Sequence, residues 1–142
     1  MFEEAERTLQ EIDVEDKGRK EVLAAKVEFY TVAKKWSSVA EVAQRLVDIE
    51  PENAGWWINL AYATRRAVNI DKAQALLLQA QTLHPENAII AFNLSCYACV
   101  SGHLEQAKTH LKHAIALDSN IRELARGDED LQTLWSWIAE ST

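Results

Sequence analysis

The sequence predicts an all-α protein, a right-handed superhelical array of antiparallel helix pairs. Gly (4) and Pro (2) are scarce among the 142 residues, whereas sheet proteins need many turn residues. Both prolines belong to one tetrapeptide, Pro-Glu-Asn-Ala, which occupies residues 51–54 and recurs 34 positions later (85 − 51) at residues 85–88. A fixed period of this length is typical of stacked helix–turn–helix units.

Further residue pairs keep the same offset, and they fall at helical spacing. Small alanines at these positions let two helices cross closely, and leucines fill the seam between them. The asparagine of each tetrapeptide, Asn53 or Asn87, is predicted to cap the helix that follows. The matched pairs are Asn59/Asn93, Leu60/Leu94, Ile70/Leu104, Ala73/Ala107, Leu77/Leu111, Ala80/Ala114 and Leu83/Leu117.

This pattern resembles the tetratricopeptide repeat (TPR) family, whose unit has Trp, Leu, Gly or Ala, Tyr, Ala, an aromatic residue, Ala and Pro at set positions. Departures from that pattern include Thr64 and Ala98 in place of the Tyr, and Ser119 in place of the final Pro. The first regular repeat supplies Trp57, Leu60, Ala61, Ala73, Leu77, Ala80 and Pro85. The second regular repeat supplies Ala91, Leu94, Ser95, Ala107, Leu111 and Ala114.

The period divides the chain into five segments. They are an N-terminal half-repeat or capping helix (1–19), a degenerate repeat (20–53), two regular repeats (54–87 and 88–121) and C-terminal capping helices (122–142). In the first segment Phe2, Ala5, Leu9 and Ile12 form one apolar stripe. An uncovered stripe at the end of a solenoid favours either a weak dimer or a monomer in which the following residues fold back over it.

Charge and cysteine content restrict the partners and the compartment. The net charge is −7, which disfavours binding to nucleic acid or insertion into a membrane. The N-terminus is acidic, unlike a signal peptide. The residues from Asn87 to Leu104 contain no Asp, Glu, Lys or Arg but include polar side chains, so they are predicted to form a buried helix. Cys96 and Cys99 are expected to be reduced thiols in the cytoplasm.

No catalytic or cofactor motif is present, so the sequence predicts neither an enzyme nor a metal protein. One alternative stays open. Cys96 and Cys99 precede His110 and His113, which suggests a thiol or zinc protein. The spacing departs from that of zinc fingers, and the repeat register puts the two pairs on different helix faces.

The resemblance to TPR proteins implies that the first helix of each repeat contributes to a concave, peptide-binding groove. Stacked asparagine amides would hydrogen-bond the peptide main chain, unless they bond within the array, and the arginines would favour a nearby carboxylate. The carboxylate clamp by which some TPR domains hold chaperone C-termini is not expected, because Ala24 and Glu28 replace its Lys and Asn. The predicted groove residues are Ile58, Asn59, Tyr62, Arg65, Arg66, Ile89, Phe92, Asn93 and Cys96.

The predicted function is therefore that of a protein–protein interaction module, a scaffold or adaptor for a protein or peptide that the sequence does not identify. A cytoplasmic chaperone of the type III secretion kind, holding an apolar client, is the alternative within the same binding class.

Overall fold

The structure, a computed structural model, describes residues 20–141. The predicted stripe of Phe2, Ala5, Leu9 and Ile12 lies outside these residues. Within them the chain forms helices only. They are α1 (Lys20–Val32), α2 (Trp36–Ile49), α3 (Ala54–Ala67), α4 (Ile70–Leu83), α5 (Ala88–Val100), α6 (Leu104–Leu117), α7 (Ile121–Gly127), a 3-10 helix (Glu129–Leu134) and α8 (Trp135–Glu140).

The helices group into two compact units that divide between Asn69 and Ile70. In the first unit, α2 packs against both α1 and α3. Its apolar residues recur at helical spacing and therefore present one stripe to the core. Trp57, at the family's tryptophan position, is buried, and its Nε1 donates a hydrogen bond of 2.9 Å to the carbonyl of Pro51. The core contains Leu23, Val27, Tyr30, Val39, Ala43, Leu46, Leu60 and Ala61.

In the second unit, α5 is the central helix, because α4, α6 and the 3-10 helix all pack against it. Most of its residues are buried, which confirms the prediction of a buried helix in the uncharged stretch. The alanines predicted to allow close crossing are fully buried, as are Leu77 and Leu111. Leu83 was expected in the same seam but is 54% exposed. It is the last residue of α4, next to the turn, and extends past the end of the seam.

The predicted caps are present. Asn53 accepts a 2.9 Å hydrogen bond from the backbone N–H of Gly55, and Asn87 accepts one of 2.9 Å from Ile90. Asp128 likewise caps the 3-10 helix by accepting from the N–H of Asp130 at 2.9 Å. These side chains satisfy N–H groups that lack a partner within the first helical turn.

Among the helices that the structure describes, none has the length and apolar character needed to cross a membrane.

Candidate binding surface and thiol–carboxylate cluster

The first unit contains a cavity of about 420 Å³ between α1 and α3. Its walls come from one face of α1 and from two residues near the start of α3. Most of its surface is apolar. The lining residues are Ala24, Val27, Glu28, Thr31, Val32, Trp56 and Asn59.

Asn59 is the member of this lining whose amide is available to a ligand. It is half-buried and makes no side-chain hydrogen bond to any residue in the range 20–141. The Thr31 hydroxyl, in contrast, donates to the carbonyl of Val27 at 2.6 Å. Glu28 adds an exposed carboxylate. The cavity therefore combines apolar walls with one amide and one negative charge.

Trp56 is held in the cavity wall by Glu50. The indole Nε1 donates to Glu50 Oε1 at 3.0 Å, Asn53 Nδ2 donates to the same oxygen at 2.9 Å, and Lys20 Nζ lies 2.8 Å from Oε2. The hydrogen bonds from Lys20, Asn53 and Trp56 lower the pKa of Glu50 from 4.5 to about 2. One ionised carboxylate thus joins the start of α1, the end of α2 and the indole.

Arg66 and Tyr62 belong to a second surface of the first unit, together with Trp36. The Arg66 guanidinium lies 3.5 Å from the centroid of the Tyr62 ring and 5.2 Å from that of Trp36. The two rings meet edge to face with centroids 5.5 Å apart. Arg66 Nη1 also donates to the carbonyl of Tyr62 at 3.1 Å. The guanidinium is thus already stacked and hydrogen-bonded, which counts against a role in binding carboxylates. Ile58 and Arg65 are half-buried.

The second unit places its four predicted groove residues in different environments. Ile89 is 40% exposed and Asn93 is half-buried, so both can be reached by a ligand. Asn93, like Asn59, has no side-chain hydrogen bond to the described part of the chain. Phe92 and Cys96 are buried, with 7% and 3% exposure. The 3-10 helix packs on α5 and brings the acids near its start to Cys96. Phe92 and Cys96 therefore lack the exposure that contact with a peptide needs.

Cys96 lies in a cluster with Asp128 and Asp130. Its Sγ and one carboxylate oxygen from each aspartate all lie within 4.8 Å of one another. Cys99 is buried one helical turn further along α5; burial, and secondarily the negative charge of Asp130, raise the pKa of its thiol. Neither cysteine forms a disulfide. The sequence spacing pointed to histidines as their companions, and the structure supplies aspartates instead.

The two histidines lie elsewhere, on α6. Burial, and then the neighbouring His113, lower the pKa of His110. His113 Nε2 lies 3.4 Å from the carbonyl of Pro85. Within residues 20–141 neither histidine joins a group of three potential metal ligands.

A smaller cavity, of about 240 Å³, lies between α6 and the C-terminal helices. Nothing in the sequence pattern predicted it. Lys108 and Lys112 point their ammonium groups toward the Trp137 ring, at 5.5 and 5.7 Å from its centroid. The lining residues are Leu111, Lys112, Ile115, Ala116, Arg122, Trp137, Ile138 and Ser141.

Comparison with known proteins rests on the fold. No protein-family profile and no curated protein sequence matches the chain. Among solved structures, that of MamA superposes with a TM-score of 0.78 at 15% identity, covering 98% of this chain and 83% of the other. The first TPR domain of Spaghetti (RPAP3), bound to the HSP90 peptide SRMEEVD, gives a TM-score of 0.66 at 18% identity, covering 84% of this chain and 90% of the other. This protein folds as a TPR array.

The TPR2B domain of yeast Sti1, in complex with pHsp70, agrees with this result. It gives a TM-score of 0.68 at 15% identity and covers 86% of this chain and 97% of the other. At such identities the likeness establishes the fold alone. It confirms the all-α TPR solenoid predicted from the 34-residue period.

Proposed function

We propose that this TPR array is a protein-interaction module, and that the cavity between α1 and α3 binds an extended peptide segment of its partner. The observation that carries the proposal is Asn59, a half-buried amide without a hydrogen-bond partner in the described chain, in the wall of an apolar cavity. The amide is not among the enclosed polar atoms without a partner, so it bonds solvent that a ligand can displace. A peptide main chain, which offers both a donor and an acceptor, can take the place of that water.

The lining also suggests the chemistry of the ligand. Trp56, Val27 and Val32 would contact an apolar side chain of the peptide. The charged member of the lining is Glu28, which favours a basic residue or an N–H donor beside the apolar one. We therefore propose a segment with an adjacent apolar and basic residue, in place of the acidic segment expected from Arg65 and Arg66.

Two of the structural neighbours support a binding role, because each was solved with a partner, an HSP90 peptide or pHsp70. Of the predicted groove residues, Asn59 lines this cavity. Ile58 and Tyr62 in the first unit, and Ile89 and Asn93 in the second, remain proposed contacts outside it. Phe92 and Cys96 are left out because they are buried.

The test begins with selection of peptides from a random display library, followed by calorimetric titration of the selected peptides. We expect Asn59→Ala to weaken binding by about 1–3 kcal/mol while the melting temperature changes little. Asn120→Ala, which alters an exposed asparagine in the turn before α7, is the matched control and leaves the affinity unchanged. Equal affinity of the wild type and Asn59→Ala for every selected peptide contradicts the proposal.

The remaining sequence predictions stay predictions: an absence of catalysis, a cytoplasmic location, and a monomer or weak dimer. The secretion-chaperone alternative differs in its ligand. It requires a folded complex with a whole apolar client, whereas the proposed module binds an isolated peptide.

A further inference from the structure

We propose that Cys96, Asp128 and Asp130 form a binding site for a divalent zinc ion, which joins the 3-10 helix to α5. All three residues belong to the second unit, whereas the residues that line the peptide-binding cavity belong to the first. It also differs in composition from the Cys–His arrangement that the sequence spacing suggested.

The geometry of the three donor atoms supports the site. They lie within 4.8 Å of one another. Donors around a tetrahedral zinc ion, at about 2.0–2.3 Å from the metal, lie about 3.3–3.8 Å apart. The cluster therefore needs only a small contraction to surround an ion. The ligands also come from two distant parts of the sequence, α5 and the start of the 3-10 helix, as expected for a metal that links two elements.

The electrostatics of the cluster favour a cation. Two carboxylates beside a buried thiol repel one another when ionised, and a divalent ion removes that repulsion. Asp128 uses Oδ1 to cap the N–H of Asp130, which fixes the position of its carboxylate. Hydrogen bonds of this kind commonly orient metal ligands.

The donor types select zinc over other common cations. A thiolate ligand is soft and disfavours Mg²⁺ and Ca²⁺, which prefer oxygen ligands alone. Zinc accepts sulfur and carboxylate oxygen together in four-coordinate sites. The donor group within 4.8 Å consists of Cys96, Asp128 and Asp130, so a water molecule completes the four-coordinate site.

Binding must release protons, because the Cys96 thiol has to lose its proton to become a ligand. The proton passes to the buffer as the Zn–S bond forms, and no redox change occurs. Calorimetry in buffers of different ionisation enthalpy counts these protons. We expect one proton to be released per ion bound; binding without proton release would contradict a thiolate ligand.

The experiment titrates the reduced, metal-free protein with zinc chloride and, separately, with cobalt chloride. We expect one equivalent to bind, a thiolate-to-cobalt charge-transfer band, and a melting temperature that rises with zinc concentration. Cys96→Ser and Asp130→Asn are each expected to weaken zinc binding by more than about 100-fold, since loss of groups that merely orient ligands costs 10–100-fold. Asp130 is half-buried, whereas Cys96 is buried, so Asp130→Asn serves if Cys96→Ser fails to fold.

The control is the double variant His110→Gln/His113→Gln, which removes the other metal-binding side chains suggested by the sequence. It should bind zinc as the wild type does and give the same cobalt spectrum. The proposal is overturned if no equivalent binds, if Asp130→Asn binds with unchanged affinity, or if the histidine variant loses the site.

Discussion

The Ser95 hydroxyl donates a hydrogen bond of 2.7 Å to the backbone carbonyl of Ala107, across the contact between α5 and α6. Ser95 is fully buried and so is Ala107. The TPR pattern has Gly or Ala at the position of Ser95, so the close crossing is retained here with a hydroxyl that finds a partner on the facing helix. A buried hydroxyl without such a partner would be costly.

We expect Ser95→Ala to lower the free energy of unfolding by about 0.5–1.5 kcal/mol, the net contribution of one such hydrogen bond. Urea denaturation measures it. Ser37→Ala, at an exposed position of α2, is the control and should change stability much less. Equal stability of Ser95→Ala and the wild type would mean that the hydrogen bond contributes nothing.

Glu50 should make the protein sensitive to acid. Its pKa in the folded chain is about 2, against an ordinary value of 4.5. A carboxyl group whose pKa is lower in the folded state than in the unfolded state stabilises the fold. This stabilisation is complete at pH values above 4.5 and is lost as the pH falls toward 2. The melting temperature of the wild type should therefore fall more steeply over that interval than that of Glu50→Gln. Glu86→Gln, at an exposed position, is the control and should show the same dependence of melting temperature on pH as the wild type. If Glu50→Gln also showed the wild-type dependence, the lowered pKa of Glu50 would be contradicted.

Two glycines should respond in opposite directions to alanine substitution. Gly102 has a φ of +83°, in the left-handed region, whereas Gly127 ends α7 without a positive φ. An added Cβ meets no atom within 4 Å at either site, so backbone conformation alone decides. Gly102→Ala should destabilise the protein by about 1–2 kcal/mol. Gly127→Ala should stabilise it by about 0.4–1 kcal/mol. Thermal unfolding of both variants in parallel measures the difference.

The acidic HSP90 peptide SRMEEVD should not bind this TPR array. Glu28 lines the cavity and Ala24 offers no charge, and they occupy the positions where the resemblance implies that clamp-type domains have Asn and Lys. Titration of the peptide should give no saturable heat. The variant Ala24→Lys/Glu28→Asn should gain measurable affinity, and saturable binding to the wild type would show that the cavity accepts carboxylates.

The 34-residue period was enough to predict the helix pairs, because each repeat must bury the same face of each helix. It predicted the caps at Asn53 and Asn87 for the same reason: each tetrapeptide precedes a helix. It did not predict the burial of Phe92 and Cys96. At Cys96 the neighbours include Asp128 and Asp130, near the start of a 3-10 helix that follows the point where the period ends, and no local pattern relates Cys96 to Asp128. The stacking of Arg66 on Tyr62 was also missed, since spacing places a side chain on a face but does not say what it contacts.

The packing of the 3-10 helix on α5 has a consequence for selectivity. Because Phe92 and Cys96 on α5 are buried, the proposed peptide binding depends mainly on the cavity between α1 and α3. A cavity of about 420 Å³ holds only a few ligand residues. With so few residues in contact, the module would distinguish between peptides mainly by the one peptide side chain that packs against Trp56. One methylene group more or less in that side chain changes the binding free energy by about 1–3 kcal/mol. Many peptide segments would then bind with low affinity. The selection among partner proteins would depend on how many such segments each partner contains.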